Sequence, residues 1–185
     1  MLQFQFTPFP ELRTPRLLLR QLTPADAEAM RFFRSDEEFL RYIPREKEPS
    51  LLQAQQHLRL LAELEAANEA ITWALSWPQQ PTVLLGTICL WHLQPQHHRA
   101  EVGYGLHPDF SGQGLMAEAL QAVISYSFDQ LGLHSLEAQL DPDNAASIRL
   151  LRKYGFVQEA HYRENYQFRG QYFDTAVYSL LTPHR

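Results

Sequence analysis

The sequence holds a single cysteine, Cys89, so no disulfide can close within it, and that residue lies in the apolar run Val83–Trp91, the place of a small core side chain. A lone cysteine fits a reducing compartment, and a cytoplasmic protein is expected. Long apolar runs are missing too: nothing approaches the roughly 20 residues that a membrane-spanning helix needs. The opening Met1–Phe6 has no basic region followed by an apolar block, so no signal peptide is expected. Basic residues are in deficit, 16 Lys and Arg against 21 Asp and Glu, and the net charge of −5 argues against the basic footprint of a general nucleic-acid binder. Neither G-x-G-x-x-G nor G-x-x-x-x-G-K-[ST] occurs, which removes the usual dinucleotide and nucleotide-triphosphate loops. No repeat, linker or low-complexity stretch interrupts the chain. What is present is 185 residues, 45% of them hydrophobic, enough for residues 1–185 to form a single domain around a real core.

Local patterns divide that chain into elements. Arg16–Leu22 predicts a strand. Thr23-Pro24-Ala25-Asp26 predicts a helix start, with a Thr cap, Pro at the first helical position and an acid at the third. That helix runs to about Ser35, with Ala27, Met30 and Phe33 on one side. Arg41–Pro49 is polar and reads as a loop. Ser50-Leu51-Leu52-Gln53 is a second capping box, opening a helix to about Asn68 that carries Leu51, Leu58, Leu61 and Leu64 near helical spacing. Ile71–Trp77 and Thr82–Leu93, parted by Pro78 and Pro81, predict a hairpin, and Ala100–Leu106 a further strand. Met116, Leu120, Val123, Ser127 or Phe128, and Leu131 share one helical face that stops at Gly132. Ser135–Leu140 predicts a strand, Asn144–Tyr154 a helix closed by Gly155, and Phe156–Leu181 strands about the turn Arg169-Gly170. The fold class is mixed α/β.

Two places carry chemistry. In the first, Glu101–Leu106 leads through Ser111-Gly112-Gln113-Gly114-Leu115-Met116-Ala117 into a helix. A helix N-terminus offers unpaired amides and the positive end of the macrodipole, and glycines ahead of it let an anion such as a phosphate approach the backbone. An ordinary left-handed turn accounts for the same residues. In the second, Asn144 or Asp143 caps a helix and places Ser147 in its first turn; taken alone, capping is the better account. His97 and His98 lack a third ligand at metal spacing, so no metal is expected. Trp73, Trp77 and Trp91 lie in β-type runs and read as core.

Together these blocks resemble the GNAT superfamily of acetyltransferases, in the branch that includes the ribosomal-protein N-terminal acetyltransferases. The resemblance covers nearly the whole chain: Leu12–Arg20 with Asp26, Gly86-Thr87-Ile88, Ala100–Tyr104, Gly112–Leu120, Asn144–Phe156 and Gly170–Asp174. It implies a mixed, largely antiparallel sheet of about seven strands, splayed at the CoA site and flanked by helices. It implies acetyl-CoA as co-substrate, with the amides of Ser111–Met116 and Ala117 around the pyrophosphate and Gly114 at the family's required glycine. Ser111 stands where the family usually has Arg or Gln, and Met116 where it usually has a small residue; the Met116 amide, not its side chain, would face the phosphate. The strands ending at Leu106 and Leu140 would part to admit the pantetheine arm, Asn144 would hydrogen-bond that arm, and a strand amide near Leu106 or His107 would serve the oxyanion. Lys153 matches a basic position near the 3′-phosphate. Ser147 matches the hydroxyl that meets the departing sulfur. Glu101 and Glu164 are the candidate bases, the relatives' C-terminal carboxylate aligning closer to Tyr166. The implied activity is acetyl transfer to a primary amine, a protein N-terminus or a small molecule, with no nucleic acid or membrane as partner. The alternative is a non-catalytic CoA-binding sensor or interaction module on the same fold. Members of the family often dimerise through sheet edges, and the β-rich Tyr162–Leu181 segment permits it.

Overall fold

A computed structural model describes residues 2–183; Met1, which opens the hexapeptide read above for a signal, lies outside the described residues, as do His184 and Arg185. Among the described residues the β-type runs pair into one sheet of eight strands: β1 (Leu12–Arg13), β2 (Leu18–Gln21), β3 (Ile71–Ser76), β4 (Gly86–Gln94), β5 (Arg99–Leu106), β6 (Ser135–Leu140), β7 (Val157–Phe168) and β8 (Gln171–Leu181). Their spatial order is β1-β2-β3-β4-β5-β6-β8-β7, and every neighbouring pair is antiparallel except β5 with β6. The seven strands anticipated from the sequence are present. The eighth, β1, has two residues and is too short to show alternation.

Among the described residues four α-helices flank the sheet: α1 (Ala27–Phe33), α2 (Leu51–Ala66), α3 (Leu115–Ser125) and α4 (Ala145–Lys153). Alternation along the strands decides which helices each side chain meets. Trp73, Ile88, Leu90, Val102 and Leu136 bury on one face with Leu115, Leu120 and Val123 of α3 and Leu151 of α4. Ala74 buries on the other, with Phe33 of α1 and with Leu84 and Phe39. No helix among the described residues is long and apolar enough to cross a membrane.

The capping box before α2 forms as read: Ser50 Oγ accepts from the Gln53 amide (3.1 Å) and Gln53 Oε1 from the Ser50 amide (3.2 Å). Ala54 and Leu58 carry its buried side, while Leu51 is exposed. The helix expected from Thr23 opens instead as a 3-10 turn, Pro24–Asp26, before α1. Asp26 explains the tight start: its buried carboxylate takes the Thr23 amide (2.7 Å) and both ends of the Arg20 guanidinium (2.9 and 2.6 Å). Between α1 and α2 the chain has no regular element, but it is tied. Arg34 forks onto Glu48 (2.6 and 2.5 Å), and the Glu48 amide donates to the Arg34 carbonyl (2.8 Å).

Two expected core residues are not core. Trp73 is buried, its indole donating to the Pro10 carbonyl (2.8 Å), but Trp91 is 42% exposed. A bulge between Trp91 and Gln94 holds His92 at φ +44°, and the Trp91 ring stacks on the His92 ring with centroids 4.1 Å apart. Cys89 is half-buried rather than core, and burial pushes its thiol up to about 12, which disfavours the thiolate.

Candidate functional site

Strands β5 and β6 stay paired only from Arg99–Ser135 to Glu101–Glu137. Beyond that point β5 remains bonded to β4 as far as Leu106, and β6 to β8 as far as Leu140, but the two no longer meet. A wedge-shaped gap opens in the sheet, lined by backbone donors and acceptors with no strand partner. The His107 amide donates to the Leu85 carbonyl (2.8 Å), which removes it as an oxyanion donor. Since amides alternate in direction along a strand, the Leu106 amide turns the other way, into the gap. The His107 ring is engaged as well: it stacks on Phe32 of α1, centroids 4.3 Å apart, and accepts from the Asp109 amide (3.2 Å).

From its free end β5 runs through a short turn, Pro108–Phe110, into the glycine loop and α3. Gly112 and Gly114 both sit at φ +75°, a region costly for side-chain-bearing residues, and Gly114 is the N-cap of α3. The amides from Gly112 to Ala117 have no acceptor among the described residues, the first helical bond being that of the Glu118 amide to Gly114 O (3.1 Å). Six donors in succession at the positive end of a helix form a nest for an anion. Met116 turns its side chain into the core and leaves its amide outside; Ser111 is exposed.

A residue that the sequence reading passed over holds this loop. Arg16 donates from Nε to Glu118 Oε2 (2.7 Å) and from a terminal nitrogen to the Gln113 carbonyl (3.0 Å). Its amide and the Thr14 hydroxyl also donate to Glu118 (2.8 and 2.5 Å). Burial alone would raise the Glu118 carboxyl, but these bonds outweigh it and hold the group below its ordinary range. Arg16 thus brings a positive charge to a loop whose own side chains have none.

Around the gap, two faces carry different chemistry. Glu101, at the last paired position of β5, is buried on the α1/α2 face. Burial pushes its carboxyl above the usual carboxylate range, against the opposing hydrogen bond from His92 (Nδ1 to Oε2, 2.9 Å); neighbouring Glu137, which pairs with Arg99, pushes the same way as burial. Tyr104 lies an odd step along the same strand and so faces α4, where its hydroxyl meets that of Ser147. Burial pushes the Tyr104 phenol up to about 12, with the Ser147 bond working the other way. Asn144 caps α4 by accepting the Ser147 amide on Oδ1 (3.0 Å), and its Nδ2, with no partner among the described residues, can still donate. Capping and ligand binding are therefore compatible at this residue. Neither Tyr104 nor His92 was singled out from sequence. For Tyr104 the available signal was the alternation of Glu101-Val102-Gly103-Tyr104-Gly105-Leu106; for His92, in a bulge, there was none.

Glu164 lies elsewhere. It is exposed at φ +50° in a bulge of β7, and in sheet order β6 and β8 separate it from β5. Asp174 holds that bulge by accepting the Glu164 amide (2.9 Å) and the His161 ring (2.6 Å), and these bonds keep its carboxyl below the ordinary range. Lys153 is exposed at the C-terminal end of α4, its ammonium 5.5 Å over the Tyr154 ring.

The sequence pattern of the Acetyltransferase (GNAT) domain matches residues 16–157. An uncharacterised N-acetyltransferase of Bacillus subtilis, YoaA, is 38% identical over 175 residues, covering 95% of this chain and 98% of its own. A ribosomal-protein alanine N-acetyltransferase of Escherichia coli is 28% identical over 178 residues, covering 93% of this chain and 91% of its own. Among solved structures, a ribosomal-protein alpha-N-acetyltransferase, RimL, in complex with coenzyme A matches with a TM-score of 0.82 at 19% identity, over 95% of this chain and 100% of that one.

Proposed function

Because the chain belongs to the GNAT family of acetyltransferases, we propose that it moves an acetyl group from acetyl-CoA to a primary amine, with the β5–β6 gap as the place of transfer. The observation that carries this reading is the continuity of the gap with the nest of free amides from Gly112 to Ala117, which fits a long ligand with a diphosphate at one end. The nest would hold the diphosphate, with Arg16 beside it, and Asn144 Nδ2 would donate to the amide-bearing arm. Acetyl-CoA supplies, when bound, a thioester carbonyl that an amine attacks and a thiol that leaves.

The residues divide the proton traffic between the two faces. On the α1/α2 side, Glu101 takes the proton of the incoming amine on a carboxylate oxygen, directly or through one water, and its raised pKa suits it to that task near neutral pH. The Leu106 amide donates to the oxygen on which negative charge develops. On the α4 side, Ser147 donates a proton toward the sulfur, with Tyr104 behind it. We assign the base to Glu101 rather than Glu164, which lies beyond β6 and β8 in the sheet.

The test is thermal unfolding with and without acetyl-CoA, alongside thiol release over a panel of amines that includes peptide N-termini. At a hundredfold excess over its dissociation constant the ligand should stabilise the fold by about 2.7 kcal/mol. Stabilisation with release for one amine class supports the proposal. Stabilisation without release from any amine favours the CoA-binding module, and no stabilisation means that the loop does not hold CoA.

A further inference from the structure

On the α1/α2 side of the gap lies a cavity of about 320 Å³, walled by the 37–47 segment, the tip of the β7–β8 hairpin and Asp141. It adjoins the transfer site at two points. Asp141 directly follows Leu140, the free end of β6, and Phe39, within the 37–47 segment, covers Gly105 of β5. The two walls are joined: Tyr166 donates from its hydroxyl to the Pro44 carbonyl (2.9 Å), and Arg169 forks onto Glu46 (3.0 and 2.5 Å).

Four basic side chains line this cavity, Arg41, Arg45, Lys47 and Arg169, against two acids, Glu37 and Asp141. Pairing accounts for Lys47 with Glu37 (2.5 Å) and for Arg169 with Glu46 (2.5 Å). It does not account for the others. Glu48 is already forked by Arg34, which leaves Arg45 at 3.7 Å from an engaged acid. Burial, and then Arg34 beside it, push the Arg45 guanidinium down from its usual range, with Glu48 and Tyr166 working the other way. The Arg41 guanidinium meets only the ring of Tyr42 (5.3 Å) among the described residues. Asp141 accepts from the Asp143 amide on one oxygen (2.8 Å), and its other oxygen has no partner among the described residues. The cavity therefore offers one open acceptor next to the gap and two under-compensated guanidiniums on the 37–47 wall.

Building on the transfer reading above, we infer that the acceptor is an aminocarboxylate: a primary amine with a carboxylate a few bonds away. The amine lies toward Asp141 and the gap, and the carboxylate lies on Arg41 and Arg45. A polyamine would set like charge against the same two guanidiniums. The volume, about 320 Å³, is at the small end for ligand sites and suits a free amino acid or the first residues of an acidic peptide N-terminus.

Matched pairs separate these cases: methionine against methioninamide, and an Ala-Glu dipeptide amide against its Ala-Gln counterpart, with spermidine as the polycation. Each is titrated calorimetrically into the CoA-saturated protein, and each is assayed for thiol release from acetyl-CoA. The acid of at least one pair should bind roughly tenfold or more tighter than its neutral partner, as charge-assisted hydrogen bonds commonly contribute. A preference in the free amino-acid pair identifies a small molecule, and one confined to the dipeptides identifies a protein N-terminus. Arg41 is exposed, so Arg41→Gln should fold and bring that ratio toward one. Equal binding within both pairs, a ratio untouched by Arg41→Gln, or spermidine binding tighter than the acids overturns the inference. An acid preference without thiol release supports it while refuting acetyl transfer.

Discussion

Replacing Arg16 by Met should weaken acetyl-CoA binding more than it weakens the fold. The change removes the bonds from Nε to Glu118 (2.7 Å) and from the guanidinium to the Gln113 carbonyl (3.0 Å). It leaves the backbone amide of residue 16 and the Thr14 hydroxyl on Glu118. The Arg16 side chain is 46% exposed, so its ion pair contributes about 0–1 kcal/mol after solvent screening. The bond to the carbonyl adds about 1 kcal/mol, and Met keeps most of the apolar stem. Unfolding free energy should therefore fall by about 1–2 kcal/mol, at about 2–4 °C of Tm for each kcal/mol at this chain length.

Binding is hit differently, because the lost bond restrains the residue just before the N-cap of α3. Without it the amides from Gly112 to Ala117 must be ordered by the ligand, and a positive charge beside the diphosphate is gone. We expect roughly tenfold weaker binding of acetyl-CoA, equivalent to about 1.4 kcal/mol, and little change for acetyl-pantetheine, which has no diphosphate. Calorimetric titration with both ligands reads the difference. Acetyl-CoA affinity within about twofold of wild type, well under 1 kcal/mol, refutes the role given to Arg16; an equal loss with acetyl-pantetheine refutes the placement of the diphosphate. Glu118 supplies a check by pH. Its carboxyl is held below the ordinary range, so the stabilisation it gives the loop is complete above that range and is lost as pH falls through the lowered value. Acetyl-CoA affinity should fall over the same acid window, and less steeply in Arg16→Met.

Glu101→Gln should cut kcat/KM by about a hundredfold or more, as removal of a general base does, and leave acetyl-CoA binding in place; unchanged turnover across pH removes Glu101 as the base. Because burial raises the Glu101 carboxyl, wild-type kcat/KM should be lost as pH falls through a value above the ordinary carboxylate range. His92→Gly suits the local φ of +44° and removes the bond that opposes burial, so it should move that limb to still higher pH; a limb that stays put means His92 does not tune Glu101. Ser147→Ala should lower kcat by about a hundredfold without weakening acetyl-CoA binding, and equal kcat would show that the leaving sulfur needs no donor there. Asp26→Ala strands the Arg20 guanidinium, whose side chain is 11% exposed, and should cost about 3–5 kcal/mol, read as a lower denaturant midpoint at constant m.

What the sequence made legible was local. Ser50 with Gln53 fixed one end of α2, and Ser135–Leu140 emerged as β6 with its bounds intact, since capping and alternation depend on neighbours in the chain. The glycine loop and the Asn144–Ser147 cap were visible for the same reason. The missed features depend on residues far apart or on backbone conformations that side chains do not announce. Arg16 reaches Gln113, and Tyr166 reaches Pro44, contacts that no window of sequence contains. His92 lies in left-handed backbone within a bulge, as does the named candidate Glu164, and a bulge is set by the partner strand rather than by the residue itself. Trp91 was misread as core for that reason: the bulge beside it, not its own apolarity, leaves it exposed.

The run Glu101-Val102-Gly103-Tyr104-Gly105-Leu106 gains a physical reading once both sides of the gap are considered. A strand feeding an ordinary core would carry side chains on both faces, yet here every second position after Glu101 is glycine. The reason differs between the two. A Cβ at Gly103 would come within 3.1 Å of Cys89 Sγ, whereas one at Gly105 would strike the Phe39 ring at 2.4 Å. The α1/α2 face of β5 is thus stripped of side chains from Glu101 to its free end, roofed at Gly105 by Phe39, while Val102, Tyr104 and Leu106 fill the opposite face. Phe39 and the Cys89 sulfur close that face next to the buried Glu101 carboxylate, while the hydroxyls of Tyr104 and Ser147 stay on the other side of the backbone. In the proposed transfer Glu101 and Ser147 handle protons in opposite senses; a single strand separates them, and the alternation of small and large residues along it is what keeps them so.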